Sequence, residues 1–141
     1  MKFAVEVPVR WSDMDAYGHV NHARTVTLLE DARIELLFNE MDRRGIDRFS
    51  GGIVVSSLAV EYLMPVVYDG RPVRVEIWVS HVRAASFELR YALHGRPGDR
   101  LLATAETLMV PYDLAAGRLR RLTERERDYL LLWTVDGSAR D

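Results

Sequence analysis

No proline or glycine interrupts the chain from Asn21 to about Arg44, and this run constrains the fold more than any other feature. It is long enough for a helix of about six turns at 3.6 residues each. Asn21 stands where an N-cap must satisfy the first free N–H groups, and Gly45 stands where a C′ residue ends a helix. Val26, Leu29, Ala32, Leu36 and Leu37 recur at helical spacing, Ile34, Phe38 and Met41 widen that face, and Asp31, Glu35 and Asp42 share the opposite arc. A helix this apolar round its circumference calls for burial. A curved sheet wrapped round it would provide that cover.

The rest of the chain reads as strands. Over residues 3–11, Phe3, Val5, Val7, Val9 and Trp11 alternate with Ala4, Glu6, Pro8 and Arg10, the period of a strand buried on one face. Pro8 cannot donate to a ladder, which places this strand at an edge or beside a bulge. Residues 53–64 are apolar on both parities; 71–82, 87–93 and 101–110 complete the set. Asp69-Gly70, Gly95 to Asp99 and Ala116-Gly117 are turns. Thr123-Glu124-Arg125-Glu126 forms a capping box ahead of Tyr129, Leu130, Leu131 and Trp133, so a short C-terminal helix follows. Five strands with one long helix after the first make a single α+β domain over 1–135, with 136–141 a loose tail.

Composition excludes several classes. Hydrophobic residues at 48% and charged residues at 28% are those of a globular chain rather than a disordered one. A net charge of −2 gives no field to attract nucleic acid or an anionic membrane. The absence of cysteine excludes disulfides and thiolate chemistry. Glu6 and Arg10 break any signal-peptide core, and no run approaches the ~18 apolar residues of a membrane span. A cytoplasmic protein is expected.

Chemistry concentrates in Trp11 to Arg24, the connection between the first strand and the long helix. Loops held by rigid elements are where reactive groups are presented, and the positive end of the helix points back at Asp13 and Asp15. Asp15 is either a turn residue making an Asx-type bond or a catalyst. Asp13, two residues away, reads as an acceptor that orders the loop. Gly18 supplies a backbone shape, or a close approach that a side chain would block. His19 and His22 straddle the helix cap rather than share a face within it, and no further ligand cluster accompanies them, so no metal is expected. Arg24 and Arg33 lie on the helix, where pairing with a carboxylate is the ordinary explanation. No G-x-S-x-G elbow and no Gly-rich phosphate loop are present.

Asp15-Ala16-Tyr17-Gly18-His19-Val20-Asn21, preceded by Val9-Arg10-Trp11 and followed by Leu29-Glu30-Asp31-Ala32-Arg33, resembles the signature of hotdog-fold acyl-CoA thioesterases of the 4-hydroxybenzoyl-CoA thioesterase type. Glu61-Tyr62-Leu63-Met64-Pro65 and Ser86-Phe87-Glu88-Leu89 recur in the family's spacing. The chain departs at His22, where many relatives carry a second Asn, and at Thr25, where an aromatic residue is common. The resemblance implies a hotdog fold, a five-stranded antiparallel sheet curled around one long helix. It also implies a homodimer with sites at the junction, and leaves further pairing into a homotetramer open. It assigns substrate contact to Tyr17, Gly18, His19, Arg83 and Ser86, with Arg83 near the CoA phosphates. No cofactor is implied, since coenzyme A is part of the substrate.

Thioester hydrolysis fits these parts. Backbone N–H groups around His22 and Ala23 can hold the developing oxyanion, and Asp15 can act as general base or as nucleophile. Two rivals stand beside it. A hydratase or dehydratase on acyl thioesters would need an imidazole, from His19 or His81, facing an acid. A binding protein for acyl thioesters would need no catalyst at all.

Overall fold

The computed structural model describes residues 1–47, 49 and 51–140, the side chains of 136–140 excepted. Strand β1 (Phe3–Val7) leads through a single 3₁₀ turn (Trp11–Asp13) to α1 (His22–Ile34), which passes through five residues of π-helix (Glu35–Asn39) into α2 (Glu40–Arg43). There follow β2 (Ile53–Tyr62), β3 (Val73–Val82), β4 (Phe87–Gly95), β5 (Arg100–Asp113), β6 (Arg118–Leu119), α3 (Glu124–Leu132) and β7 (Thr134–Arg140). The sheet runs β1-β3-β4-β5-β2, with β6 beside β5 and β7 beside β3. All pairs are antiparallel except β3 with β7. The sheet curls round the long helix, the hotdog arrangement expected from the sequence.

The helix begins and ends as its sequence demands. The Asn21 side chain accepts from the Ala23 N–H at 2.9 Å. At the other end Gly45 takes a φ of 69°, while its N–H reaches the Asp42 carbonyl and that of Ile46 reaches Met41. These two bonds are a Schellman motif, which needs a residue at ease in the left-handed region. The π segment has a tertiary cause. The Glu40 N–H passes over Leu36 to bond the Glu35 carbonyl, and the buried hydroxyl of Tyr129 on α3 donates to the Leu36 carbonyl instead. A sequence pattern could not show that exchange.

Burial on the helix is more one-sided than its composition suggests. Leu28, Leu29, Ala32, Leu36, Leu37 and Met41 are buried against the sheet. Ile34 is 38% exposed, and Val26 and Phe38 are half-buried. The single chain therefore covers one face of the helix only. Facing it, Val73, Val75, Ile77 and Val79 of β3 and Phe87, Leu89, Tyr91 and Leu93 of β4 form the inner wall.

Strand β2 lies at one edge and pairs only with β5. Its register slips between Val55 and Ser57. The extra residue shifts the inward parity from Val55 to Leu58 and Val60, which explains why the sequence is apolar on both parities. Val54, Val55, Leu58 and Tyr62 are each 38–47% exposed.

Two expectations require correction. The first strand ends at Val7, since Pro8 withdraws its N–H from the ladder, and Trp11 turns outward, 73% exposed. Residues 136–140, all but the last of the expected loose tail, belong instead to β7, which runs along the outer half of β3, where β1 no longer pairs. An open edge of backbone donors and acceptors recruits a strand whether or not its side chains are apolar. Asp141 lies outside the described residues. No described helix is long and apolar enough to cross a membrane.

Candidate active site

Residues 10–21 are folded by their own polar groups. The buried carboxylate of Asp13 accepts the Arg10 N–H at 2.9 Å, and its carbonyl accepts the Asn21 N–H at 2.9 Å. Asp13 thus orders the loop, as its sequence position suggests. Between these clasps Met14 pairs with Val20, and the Asp15 N–H reaches the His19 carbonyl at 2.8 Å. Asp15 to Gly18 is then a β-turn, closed by the Gly18 N–H on the Asp15 carbonyl at 3.1 Å. One Asp15 carboxylate oxygen accepts the Tyr17 N–H at 2.9 Å, an Asx turn. Gly18 has a φ of 77°, and a Cβ there would meet nothing within 4 Å. Its role is backbone shape rather than close approach.

This small hairpin is stitched to the segment after β2. The Val20 N–H bonds the Val66 carbonyl at 2.7 Å, and His19 pairs with Val67. The Leu102 carbonyl accepts both the Leu63 and the Met64 N–H, at 2.9 and 3.0 Å. A pocket of about 360 Å³ opens between the two segments, lined on one side by Asp15, His19, Val20, His22 and Thr25 and on the other by residues 62–66. Two chain segments distant in sequence therefore converge on one carboxylate and one helix start.

At that helix start the donors are already partly used. The Ala23 N–H is held by the Asn21 side chain and the Thr25 N–H by the Asn21 carbonyl. Among the described residues the N–H groups of His22 and Arg24 have no such partner, so of the expected pair only His22 is open. Tyr62, which the sequence offers only as part of a strand and of a family-like segment, donates its hydroxyl to the His22 carbonyl at 2.7 Å. Its ring stands edge-on to the His22 imidazole, 6.4 Å between centroids. Burial pushes the Tyr62 phenol above its ordinary value, which keeps it a neutral donor. The signal that could have singled it out was an aromatic hydroxyl ending a strand just before Pro65.

Other candidates lie elsewhere. Tyr17 is 84% exposed at the tip of the turn and, like Gly18, stands outside the pocket lining. Arg83 and Ser86 close the β3–β4 hairpin, the Arg83 N–H bonding the Ser86 carbonyl at 2.8 Å. Met109 pairs with both Val55 and Phe87, whereas Ala103 pairs with both Tyr62 and Leu93. The hairpin is therefore at the opposite end of the strands from Tyr62, about 20 Å away at ~3.3 Å per residue. Within one chain Arg83 and Ser86 are not brought to the pocket. Within one chain His81 sits against Glu88 on β4, outside the pocket, whereas His19, the other imidazole considered for a hydratase, lines it. Among the described residues no three His, Asp or Glu side chains converge to hold a metal ion.

Similarity to known proteins covers most of the chain. The family model of the thioesterase-like superfamily matches residues 9–127. YsmA of Bacillus subtilis is 27% identical over 130 residues, 92% of this chain and 85% of that protein. Among solved structures, the PA2801 protein of Pseudomonas aeruginosa is 30% identical, with a TM-score of 0.74 over 89% of this chain and 95% of that one. A thioesterase from Thermus thermophilus, complexed with coenzyme A and Zn, is 27% identical, with a TM-score of 0.76 over 92% of each chain. A family match over residues 9–127, on a fold and loop of this form, places the chain in the thioesterase-like superfamily.

Proposed function

We propose that the protein hydrolyses acyl thioesters, with acyl-CoA as the substrate class and Asp15 as the residue that acts on it. The observation that carries this reading is the shared pocket. The Asp15 carboxylate, the start of α1 and Tyr62 all line one 360 Å³ space, open enough for a thioester to enter. The Thermus relative, complexed with coenzyme A, supports CoA as the thiol.

The thioester carbonyl oxygen accepts from the His22 N–H, whose positive helix end also favours the charge that develops on that oxygen. Asp15 keeps one oxygen on the Tyr17 N–H, which aims the other. By one route that oxygen takes a proton from water, and the hydroxide adds to the carbonyl carbon. The resulting oxyanion collapses, the C–S bond breaks, and the thiolate leaves to be protonated. By the other route the carboxylate attacks the carbon itself and expels the thiolate, and water then cleaves the mixed anhydride. Both end in free acid and thiol. Tyr62, by fixing the first carbonyl of the helix, positions the N–H groups beside it.

The site is completed by a second copy of the chain. Antiparallel pairing of two β2 edges brings the start of one strand beside the end of the other. The partner's hairpin, with its Arg83 and Ser86, then moves from the far end of the sheet toward this pocket. That pairing also covers the exposed Val54, Val55 and Leu58 and closes an edge that otherwise invites aggregation.

The test is incubation with a panel of acyl-CoAs. Release of free thiol is the expected result. A change in acyl unsaturation without thiol would identify a hydratase, and saturable binding without turnover would identify a binding protein; either overturns the proposal.

A further inference from the structure

Beyond the pocket just described, a second cleft of about 230 Å³ lies between α1 and β2. Its walls are the next turns of the same helix and the preceding residues of the same strand, ending at Glu30 and Arg33 on one side and Leu58 and Val55 on the other. Most of this lining is apolar, but its far end is not. The Arg33 side chain is only 14% exposed. One of its nitrogens reaches the Tyr91 hydroxyl and the other the Glu30 carboxylate, both at a long 3.4 Å. Tyr91 shares a 2.8 Å bond with the Thr107 hydroxyl, and these two residues are 1% and 2% exposed.

A guanidinium carries five N–H donors, and a nearly buried one ordinarily engages them in short, charge-assisted bonds of about 2.7–2.9 Å. Here, among the described residues, two contacts serve it, both long, and Glu30 is itself 56% exposed and replaceable. The cluster is a cation with spare donors at the end of this cleft.

We infer that this cluster selects the acyl group, favouring chains that end in an oxygen acceptor, a hydroxyl or a carboxylate, over plain alkanes of the same length. The inference rests on the thioesterase reading, because it needs the thioester carbonyl anchored at His22. Arg33 lies eleven residues along the helix from His22, about 16 Å at ~1.5 Å per residue. Helical side chains lean back toward the N-terminus, here by about one turn, ~5 Å. The remaining span of about 11 Å suits an acyl chain of roughly eight to ten carbons, taking a zigzag of C–C bonds of ~1.5 Å. A distal oxygen there accepts from Arg33, while an alkyl end leaves the guanidinium desolvated without a new partner.

The experiment compares octanoyl-CoA, 8-hydroxyoctanoyl-CoA and the CoA monothioester of octanedioic acid. In wild type, kcat/KM for the two oxygenated esters should exceed that for octanoyl by about tenfold or more. In Arg33→Met that preference should vanish, and in Tyr91→Phe it should shrink. Arg33→Lys, which keeps the charge, serves if the methionine variant does not fold. Binding of the three free acids is measured by calorimetry on the same proteins. Turnover of all three esters at equal or octanoyl-favouring rates overturns the inference and leaves the thioesterase reading intact. No thiol from any ester, with Arg33-dependent binding of the oxygenated acids retained, overturns the thioesterase reading and leaves the selective cluster standing. Neither turnover preference nor selective binding sinks the inference outright.

Discussion

At the scale of single residues, Asp13 and Asp15 show how two carboxylates of one type are sorted by their surroundings. Asp13 is 3% exposed and bonded on both its carboxylate and its carbonyl to loop backbone; Asp15 is half-buried and lines the pocket. Asp15→Asn preserves shape while removing both base and nucleophile. Its kcat should fall by about 10²–10⁴-fold with KM little changed. Asp13→Asn should instead lower Tm, because it weakens a buried acceptor of the Arg10 N–H, at about 1–3 kcal/mol. Steady-state kinetics and thermal melts on both variants check the pair. A folded Asp15→Asn within a few-fold of wild type would move the search to another carboxylate.

At the scale of elements, the long helix and α3 are held to each other and to the sheet by polar contacts with definite energetic signs. Tyr129→Phe removes the donor that the Leu36 carbonyl accepts in the π segment. Burial raises the Tyr129 phenol to about 12, so the hydroxyl is a neutral donor throughout the working range. The variant should lose about 1–3 kcal/mol by leaving a buried acceptor unserved, read from urea midpoints. The Glu126 carboxylate of α3 is held by Arg120 at 2.8 and 2.9 Å. Burial by itself would raise this carboxyl, but the bonds from Arg120 and Thr123 outweigh it and the group sits below its ordinary value. A carboxyl lowered in the fold contributes stability that is fully present above the unfolded value, about 4.5, and is lost as pH falls through the folded value. Melting temperature should therefore fall more steeply below about pH 4.5 in wild type than in Glu126→Gln. Arg120→Met, which strands the carboxylate, should cost about 3–5 kcal/mol at neutral pH.

At the scale of the whole molecule, a homodimer through β2 is the expected assembly, and Leu58→Lys at its centre should split it. Light scattering at micromolar concentration should give twice the chain mass for wild type and half that for the variant. A wild-type monomer with full activity would remove the partner from the site. Much of this molecule was legible beforehand. The Asn21 cap, the Gly45 stop, the Thr123 capping box and the inner rows of β3 and β4 follow from interactions within a few residues, and such local rules need no knowledge of the rest of the chain. The motif loop was legible for the same reason, since Asp13, Asp15 and Gly18 bond to their own neighbours. What only the tertiary structure decided involves partners far apart in sequence. Tyr62 meets His22 forty residues back, Tyr129 reaches Leu36 across ninety-three, residues 134–140 join a vacant edge of β3, and Arg83 is carried to the far end of the sheet. None of these leaves a local pattern, because a single long-range hydrogen bond or an open strand edge imposes no periodicity on the residues around it.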